Sequence, residues 1–286
     1  MDNYSHEDVG NVMSLEHLNV QVPDQAQAIL FYVVGLGLTR DPYLTVGLEN
    51  MWVNAGDQQF HLPTRAAQVV PGHIGLVIPD PSALRDRLKS LEARMKGTRY
   101  RWSDENGYVA VSCPWGNQFR CHSQSPAFGD MALGLAYIEF LVPPGAAPGI
   151  ARFYEVAFHV EPAIETMENG ILARIKIGRN QALLFRETGE AVPPYDGHHV
   201  AIYVANFSGP YRFLKDRGLI MEEMRNHQFR FKQLIDPDNG KNLFLLEHEV
   251  RSLHHPMFHR PFVNRDPIQT QRAYRRGRDP LIPYIE

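Results

Sequence analysis

Residues 15–24, LEHLNVQVPD, alternate apolar and polar side chains and end in Pro-Asp. Such alternation predicts a half-buried β-strand, and Asp24 in front of the following residues predicts the N-cap of a helix. Three further stretches have the same form: GHIGLVIPD at 72–80, YIEFLVP at 137–143 and GHHVAIYVAN at 197–206. The chain is therefore predicted to repeat one structural unit four times, and histidine stands near the start of three of the four strands.

Each opening strand is followed by a helical pattern and then by short strands, so the predicted unit is βαβββ and the fold class is α+β. The predicted helices cover 25–37, 82–94, 149–157 and 208–217. The predicted strands that follow them cover 39–42, 45–54 and 58–63, then 100–103, 107–112 and 118–122, then 170–177 and 181–186, then 228–235 and 242–248. The turn DPDNG at 236–240 lacks the ligand spacing of a calcium loop and predicts a hairpin.

Composition narrows the function classes. The 286 residues carry a net charge of −3, which supplies no basic field to attract nucleic acid or an anionic membrane. Residues 1–11 contain no apolar run, so we expect no secretory signal, no membrane segment and a cytoplasmic location. The two cysteines, Cys113 and Cys121, are expected to be inert packing residues in a reducing compartment.

Three features together resemble the vicinal oxygen chelate superfamily, which includes glyoxalase I, bleomycin-resistance proteins and extradiol dioxygenases. They are the strand ending in Val-Pro-Asp, the phrase GHIGLV at 72–77 and the turn DPDNG. The resemblance spans about residues 14–250 and implies four βαβββ modules paired into two tandem glyoxalase-like domains, each a curled sheet enclosing a cup. The expected divisions are a polar leader at 1–13, a first domain at 14–124, a linker at 125–134, a second domain at 135–250 and a tail at 251–286. The tail is expected either to wrap over the body or to serve as a partner-binding arm, and the wrap is favoured because its aromatic residues would otherwise be exposed.

The resemblance also implies a divalent metal held by the first and last strands of paired modules. In the first half those positions fall at His17, His61, His73 and Arg120. Three imidazoles suit Fe, Ni or Zn, and Mn is a further candidate. Arginine stays protonated and cannot be a ligand, so Arg120 is a candidate contact for a substrate oxyanion or a structural ion pair. Alternation places Glu16 on the face opposite His17.

In the second half the same positions fall at Tyr137, Leu183, His198 and about Leu245. The polar residues Tyr137, Glu139, His198 and Glu247 are expected on facing strands there, as a polar binding cup, a weak metal site or a catalytic acid–base set. Tyr137, His198 and Glu247 are the candidate catalytic groups, and His199 is expected to face away from His198. For any single histidine in a strand, a hydrogen-bonded structural role is favoured over metal ligation. The His17 half is the favoured metal site.

These residues leave three functions open. The first is a metal-dependent enzyme acting on a small oxygenated molecule, by ring cleavage like an extradiol dioxygenase or by glyoxalase-like lyase chemistry. The absence of the usual glutamates opposes both reactions. The second is a metal-free protein that binds a small molecule, in the manner of bleomycin-resistance proteins. The third is an interaction protein built on an inactive enzyme fold. The substrate and the oligomeric state stay open.

Overall fold

The computed structural model describes residues 8–43, 49–168, 170–224, 227–260 and 262. The described chain forms four βαβββ modules. Module one comprises β1 (Val12–Asn19), α1 (Gln25–Ala28, continued by π-helical Ile29–Gly35), β2 (Thr39–Arg40), β3 (Asn50–Ala55) and β4 (Gln58–Pro63). Module two comprises β5 (Gly72–Ile78), α2 (Pro81–Leu91), β6 (Arg101–Glu105), β7 (Tyr108–Ser112) and β8 (Gln118–Ser123).

The second half of the chain repeats this order. Module three comprises β9 (Gly134–Val142), α3 (Ala147–Phe158), β10 (Pro162–Met167), β11 (Gly170–Ile177) and β12 (Gln181–Glu187). Module four comprises β13 (His199–Val204), α4 (Ser208–Lys215), β14 (Glu222–Met224), β15 (Gln228–Ile235) and β16 (Asn242–Ser252). The predicted fold class and the four modules are confirmed.

Local sequence signals fix where the helices begin. The Asp24 side chain accepts a hydrogen bond from the Gln27 N–H, and Asp80 accepts one from Ala83, both at 3.0 Å. These are the N-cap bonds that satisfy free amides of a first helical turn. The predicted hairpin at 236–240 is also present, with Gly240 N donating to Asp236 O. None of the described helices is both long and apolar enough to cross a membrane.

Two edge strands, β10 and β14, escaped the sequence prediction. The side chains of β10 are mostly exposed, so its sequence has no buried alternation that could signal a strand. The predicted strand at 45–54 is observed from Asn50, and residues 44–48 lie outside the described part of the chain.

The pairing of modules differs from the expectation. One eight-stranded sheet has the order β14-β15-β16-β13-β1-β4-β3-β2, and the other has the order β10-β11-β12-β9-β5-β8-β7-β6. We call the first the outer sheet, since it joins modules one and four, and the second the inner sheet, since it joins modules two and three. The assignment of modules one and two to one sheet was therefore wrong. The division into separate units at residues 14–124 and 135–250 stays a prediction.

The helices and one face of each sheet share a continuous hydrophobic core. On the α1 side, the buried Tyr32 ring packs against Phe60 of the outer sheet and Phe119 of the inner sheet. On the α3 side, Tyr154 packs against Phe185 of the inner sheet and His248 of the outer sheet. Within the described residues, α1 to α4 all pack on this core, which leaves the second face of each sheet available for a site.

A pair of glutamines joins the two sheets. The Gln58 side-chain oxygen of β4 accepts a hydrogen bond from Leu135 N of β9, and Gln181 of β12 accepts one from Leu15 N of β1, both at 3.0 Å. The neighbouring turn at Gly56 lies so close to the backbone that precedes β9 that a Cβ added at Gly56 would be 2.0 Å from Leu133 O. The two hydrogen bonds are reciprocal, because a glutamine of each sheet accepts from a backbone N–H of the other sheet. The two sheets are therefore related by a pseudo-twofold axis.

The described part of the tail packs on the body, in agreement with the expected wrap. The Phe258 ring lies edge-on to Tyr203 at 4.9 Å between centroids. Arg260 forms a fully buried ion pair with Asp41, which follows β2. His255 packs beside Tyr203. Residues 263–286, including the remaining aromatic tail residues, lie outside the described part.

Neither cysteine is expected to react in the native protein. Both thiols are buried, and burial raises the pKa of Cys121 to about 12 and raises that of Cys113 as well. Since the thiolate is the nucleophile, DTNB should label no thiol in the folded protein and both in denaturant. Rapid labelling of the native protein at neutral pH would contradict this prediction.

Candidate metal centre

Three histidines converge on the helix-free face of the outer sheet. His17 is on β1, His61 is on β4 beside Asn19, and His199 is on β13 opposite Asn19. A ring nitrogen of each histidine lies within 4.8 Å of one from each of the others. The ring centroids of His61 and His199 lie 5.8 and 5.7 Å from that of His17. We call this cluster, with Glu249 described below, the outer site.

A polar side chain lies near the Nδ1 atom of each histidine, and those beside His17 and His61 are within hydrogen-bond distance. His17 Nδ1 donates to the Glu16 carboxylate. His61 Nδ1 lies 2.9 Å from the Asn19 amide, and His199 Nδ1 lies 3.8 Å from Glu247 Oε1. The atom of Asn19 that faces Nδ1 is the amide nitrogen. A rotation of the amide by 180° about its last bond would instead present its oxygen to Nδ1–H and would leave the His61 Nε2 lone pair free. Partners of this kind fix the tautomer and the orientation of metal-binding histidines.

The Nε2 atoms of the three histidines are buried, and none has a hydrogen-bond partner among the described residues. Burial, followed by repulsion from the neighbouring imidazoles, lowers the pKa of His61 and of His199 well below the usual range. Both rings are therefore neutral at physiological pH. A neutral imidazole with a free, buried Nε2 is the form that binds a transition metal.

Strand register identifies a fourth position. His17 lies opposite Ala201, and Asn19 lies opposite His199, so exchanging β1 with β13 exchanges His17 with His199. Beside Asn19 lies His61, and beside Ala201 lies Glu249 of β16. Glu249 is therefore the counterpart of His61. Its Oε2 lies 4.0 Å from His199 Nε2, and its side chain is 3% exposed.

Two arginines and a second glutamate surround Glu249. Arg251 pairs with Glu249 and lies 3.1 Å from Glu16, and Arg230 also pairs with Glu249. Burial by itself raises the pKa of Glu16. The interactions with Arg251 and His17 outweigh burial and lower that pKa to about 2. The pKa of Glu249 is lowered in the same way: burial raises it, and Arg251, His17 and Arg230 outweigh burial. Both carboxylates are therefore ionised at neutral pH.

The structure divides the predicted metal ligands. It brings His17 and His61 together, as expected, but places His73 on β5 of the inner sheet. There His73 Nδ1 lies 2.9 Å from Glu139, and Arg120 also lies near Glu139. Tyr137, on β9, is in hydrogen-bond contact with Arg120 and belongs to this inner group as well. His73 was wrong as a partner of His17 because module one pairs with module four rather than with module two.

The predicted group of Tyr137, His198 and Glu247 is not formed. His198 is 1% exposed; its Nδ1 lies 2.7 Å from Asp196, and its ring stacks on Phe140 in the interior. Glu247 is on the outer sheet, where it accepts a hydrogen bond from Arg230 at 2.8 Å. Leu183 and Leu245 were predicted at the last-strand positions of modules three and four. Leu183 faces the core, and its neighbour Leu184 occupies that position on β12. On β16 the position belongs to Glu249, not to Leu245.

Sequence reasoning missed His199, Glu249 and Glu16. His199 was excluded because one histidine of the pair 198–199 had to face away, and the wrong one was chosen. Glu16 was placed on the far face, but an irregularity between Leu15 and His17 breaks the alternation and brings its carboxylate to His17. Glutamates at alternating positions 247 and 249, followed by Arg251, were an available signal for a charged strand face.

The residues of the outer site fit a divalent metal. Three imidazoles are a donor set typical of Zn, Fe(II) or Ni, and they leave positions open for a substrate. Mn prefers oxygen ligands to imidazole. The donor set therefore favours Zn, Fe(II) and Ni over Mn. No other group of three or more potential metal ligands occurs in the described part of the chain.

Comparison with solved structures identifies the fold. Glyoxalase I from Zea mays superimposes with a TM-score of 0.60 at 15% identity, over 84% of this chain and 92% of that chain. A candidate dioxygenase from Bacillus subtilis superimposes with a TM-score of 0.59 at 14% identity, over 93% of this chain and 90% of that chain. No protein-family model and no curated protein matches the sequence. At such identities the likeness establishes architecture alone: this chain has the fold of the vicinal oxygen chelate superfamily.

Proposed function

We propose that this protein is a metal-dependent enzyme of the vicinal oxygen chelate type, with His17, His61 and His199 holding a divalent metal at the outer site. The observation that carries the proposal is the set of three histidines with buried, unpartnered Nε2 atoms, each of which offers a ring nitrogen within 4.8 Å of the others. A buried imidazole nitrogen without a partner is destabilising, and a metal ion would satisfy all three at once.

A cavity adjoins the strands that carry this cluster, and Glu16 is the residue that it shares with the surroundings of the three histidines. This cavity of about 860 Å³ is lined by Glu16, Gln59 and Tyr203 of the outer sheet and is closed on one side by Met257 and Phe258 of the tail. This volume lies in the range of small-molecule sites. We therefore propose a small oxygenated compound as the substrate, entering between the outer sheet and the tail.

When bound, the metal would act as a Lewis acid toward a pair of neighbouring substrate oxygens. The chain's own residues have separate tasks. Glu16 orients His17 and Asn19 orients His61 through hydrogen bonds, and Glu247 places a negative charge 3.8 Å from His199 Nδ1. The lowered pKa of Glu249 makes it a poor proton acceptor while Arg230 and Arg251 hold it, so it is assigned an electrostatic role.

Titration with Co²⁺ tests the proposal, since Trp52 stacks on His61 at 4.0 Å and can report on the site. The metal-free protein should bind about one Co²⁺ per chain, with visible absorption and quenching of Trp52 fluorescence. A Trp52→Phe variant, which retains the other two tryptophans, should bind Co²⁺ without this quenching. Absence of Co²⁺, Zn²⁺, Ni²⁺ and Fe²⁺ binding would overturn the metal proposal.

A further inference from the structure

The inner sheet carries a counterpart of the outer site, with different side chains at the equivalent positions. On β9 and β5, Tyr137 lies opposite Gly75, and Glu139 lies opposite His73. This repeats the outer register, in which His17 lies opposite Ala201 and Asn19 lies opposite His199. Tyr137 is therefore the counterpart of His17, and His73 is the counterpart of His199.

The last strands complete the comparison. Leu184 lies beside Glu139 on β12, where the outer sheet has His61, and Arg120 lies beside Gly75 on β8, where it has Glu249. Tyrosine, leucine, histidine and arginine therefore stand where the outer site has three histidines and a glutamate. Because a guanidinium stays protonated and leucine offers no donor, this set cannot hold a divalent cation.

The inner position carries excess positive charge instead. Glu139 accepts hydrogen bonds from His73 Nδ1 and from Arg186, and its Oε2 lies 3.8 Å from Arg120 Nη1. Glu139 is the only carboxylate among the described residues that pairs with either arginine. One carboxylate faces two guanidiniums, and Arg120 and Arg186 remain 22% and 33% exposed.

Beside these charges lies an apolar floor. Leu172, Ala182 and Leu184 form a small hydrophobic cluster with Tyr137, separate from the main core. The adjoining cavity of about 750 Å³ is lined by Tyr137, Ala136 and Ala182. In the outer cavity the counterparts of these two alanines are Glu16 and Gln59. At these two positions the inner sheet therefore carries a methyl group in place of a carboxylate and an amide.

From this juxtaposition we propose that the inner sheet is a metal-free binding site for a small organic anion with an apolar body. The carboxylate of the ligand pairs with Arg120 and Arg186, since guanidinium groups bind carboxylates through charge-assisted hydrogen bonds. Its apolar body covers Leu184 and Leu172 and extends toward the cavity. This site is distinct from the outer site, and its ligand requires no metal.

Benzoate is a suitable probe, with benzamide as its neutral counterpart of the same shape. In a titration followed by calorimetry or ligand-observed NMR, benzoate should bind saturably and benzamide at least about tenfold more weakly. The Arg120→Gln/Arg186→Gln protein should lose benzoate binding by a similar factor. Arg85→Gln, which removes an exposed arginine paired with Asp104, should bind benzoate like the wild type.

A substitution that is expected to tighten benzoate binding controls for loss of binding through misfolding. Glu139→Gln removes the competing carboxylate, keeps its shape and should tighten benzoate binding several-fold. A His17→Ala/His199→Ala protein should bind benzoate normally, which separates this site from the outer one. Equal affinity for benzamide, unchanged binding in the double arginine variant, weaker binding in Glu139→Gln, or no benzoate binding would each overturn the proposal.

Discussion

The His199→Ala protein is expected to bind Co²⁺ more than about 100-fold more weakly than the wild-type protein. Loss of even an outer partner of a metal ligand commonly costs 10- to 100-fold in affinity, and His199 supplies one of three buried Nε2 atoms. Competition with a chromophoric chelator measures the affinity directly, without any assumption about activity.

His73→Ala is the matched control. His73 is the counterpart of His199 in the inner sheet, where its side chain is 31% exposed and pairs with Glu139. The His73→Ala protein should therefore keep the wild-type affinity for Co²⁺. Equal losses in both variants, or a loss in His73→Ala alone, would show that the cluster of His17, His61 and His199 is not the metal site.

Replacing Arg251 by methionine is expected to destabilise the protein by about 3–5 kcal/mol, because it leaves Glu16 and Glu249 as buried charges with fewer partners. The Arg251 side chain is 7% exposed, and those of its two glutamate partners are 10% and 3% exposed. Urea unfolding measures the difference. The control Arg85→Met breaks an exposed pair with Asp104 and should change stability by less than about 0.5 kcal/mol.

The pH dependence of this loss has a definite sign. The pKa of Glu16 is lowered in the folded protein from 4.5 to about 2, with burial opposing and Arg251 favouring the ionised form. A depressed folded pKa contributes stability that is present above the unfolded value and is lost as the pH falls toward the folded value. The difference between wild type and Arg251→Met should therefore be largest above pH 4.5 and shrink toward pH 2. A difference that grows on acidification would contradict the ion-pair explanation.

The predictions made from local sequence were largely confirmed. Asp24 and Asp80 cap their helices because a short carboxylate before a helix satisfies free amides without help from distant residues. The strands with a buried face were found because their alternation repeats every two residues. The exposed edge strand β10 has no such pattern, and it was missed for that reason.

The site was only half accessible to the same reasoning. His17 and His61 lie on neighbouring strands of one module, so the repeat itself places them together. The third ligand depends on which module lies across β1. All four opening strands look alike, so nothing local distinguishes His73 of module two from His199 of module four.

The sequence by itself therefore determined the α+β class, the four βαβββ modules, the helix caps and two histidines of the proposed metal centre. Only the tertiary structure decided the pairing of module one with module four, the choice of His199 over His198, and the placement of Glu16 and Glu249 beside them. The physical reason is that alternation and capping act within a few residues, whereas strand pairing, register and a local irregularity of β1 are settled by contacts between distant segments.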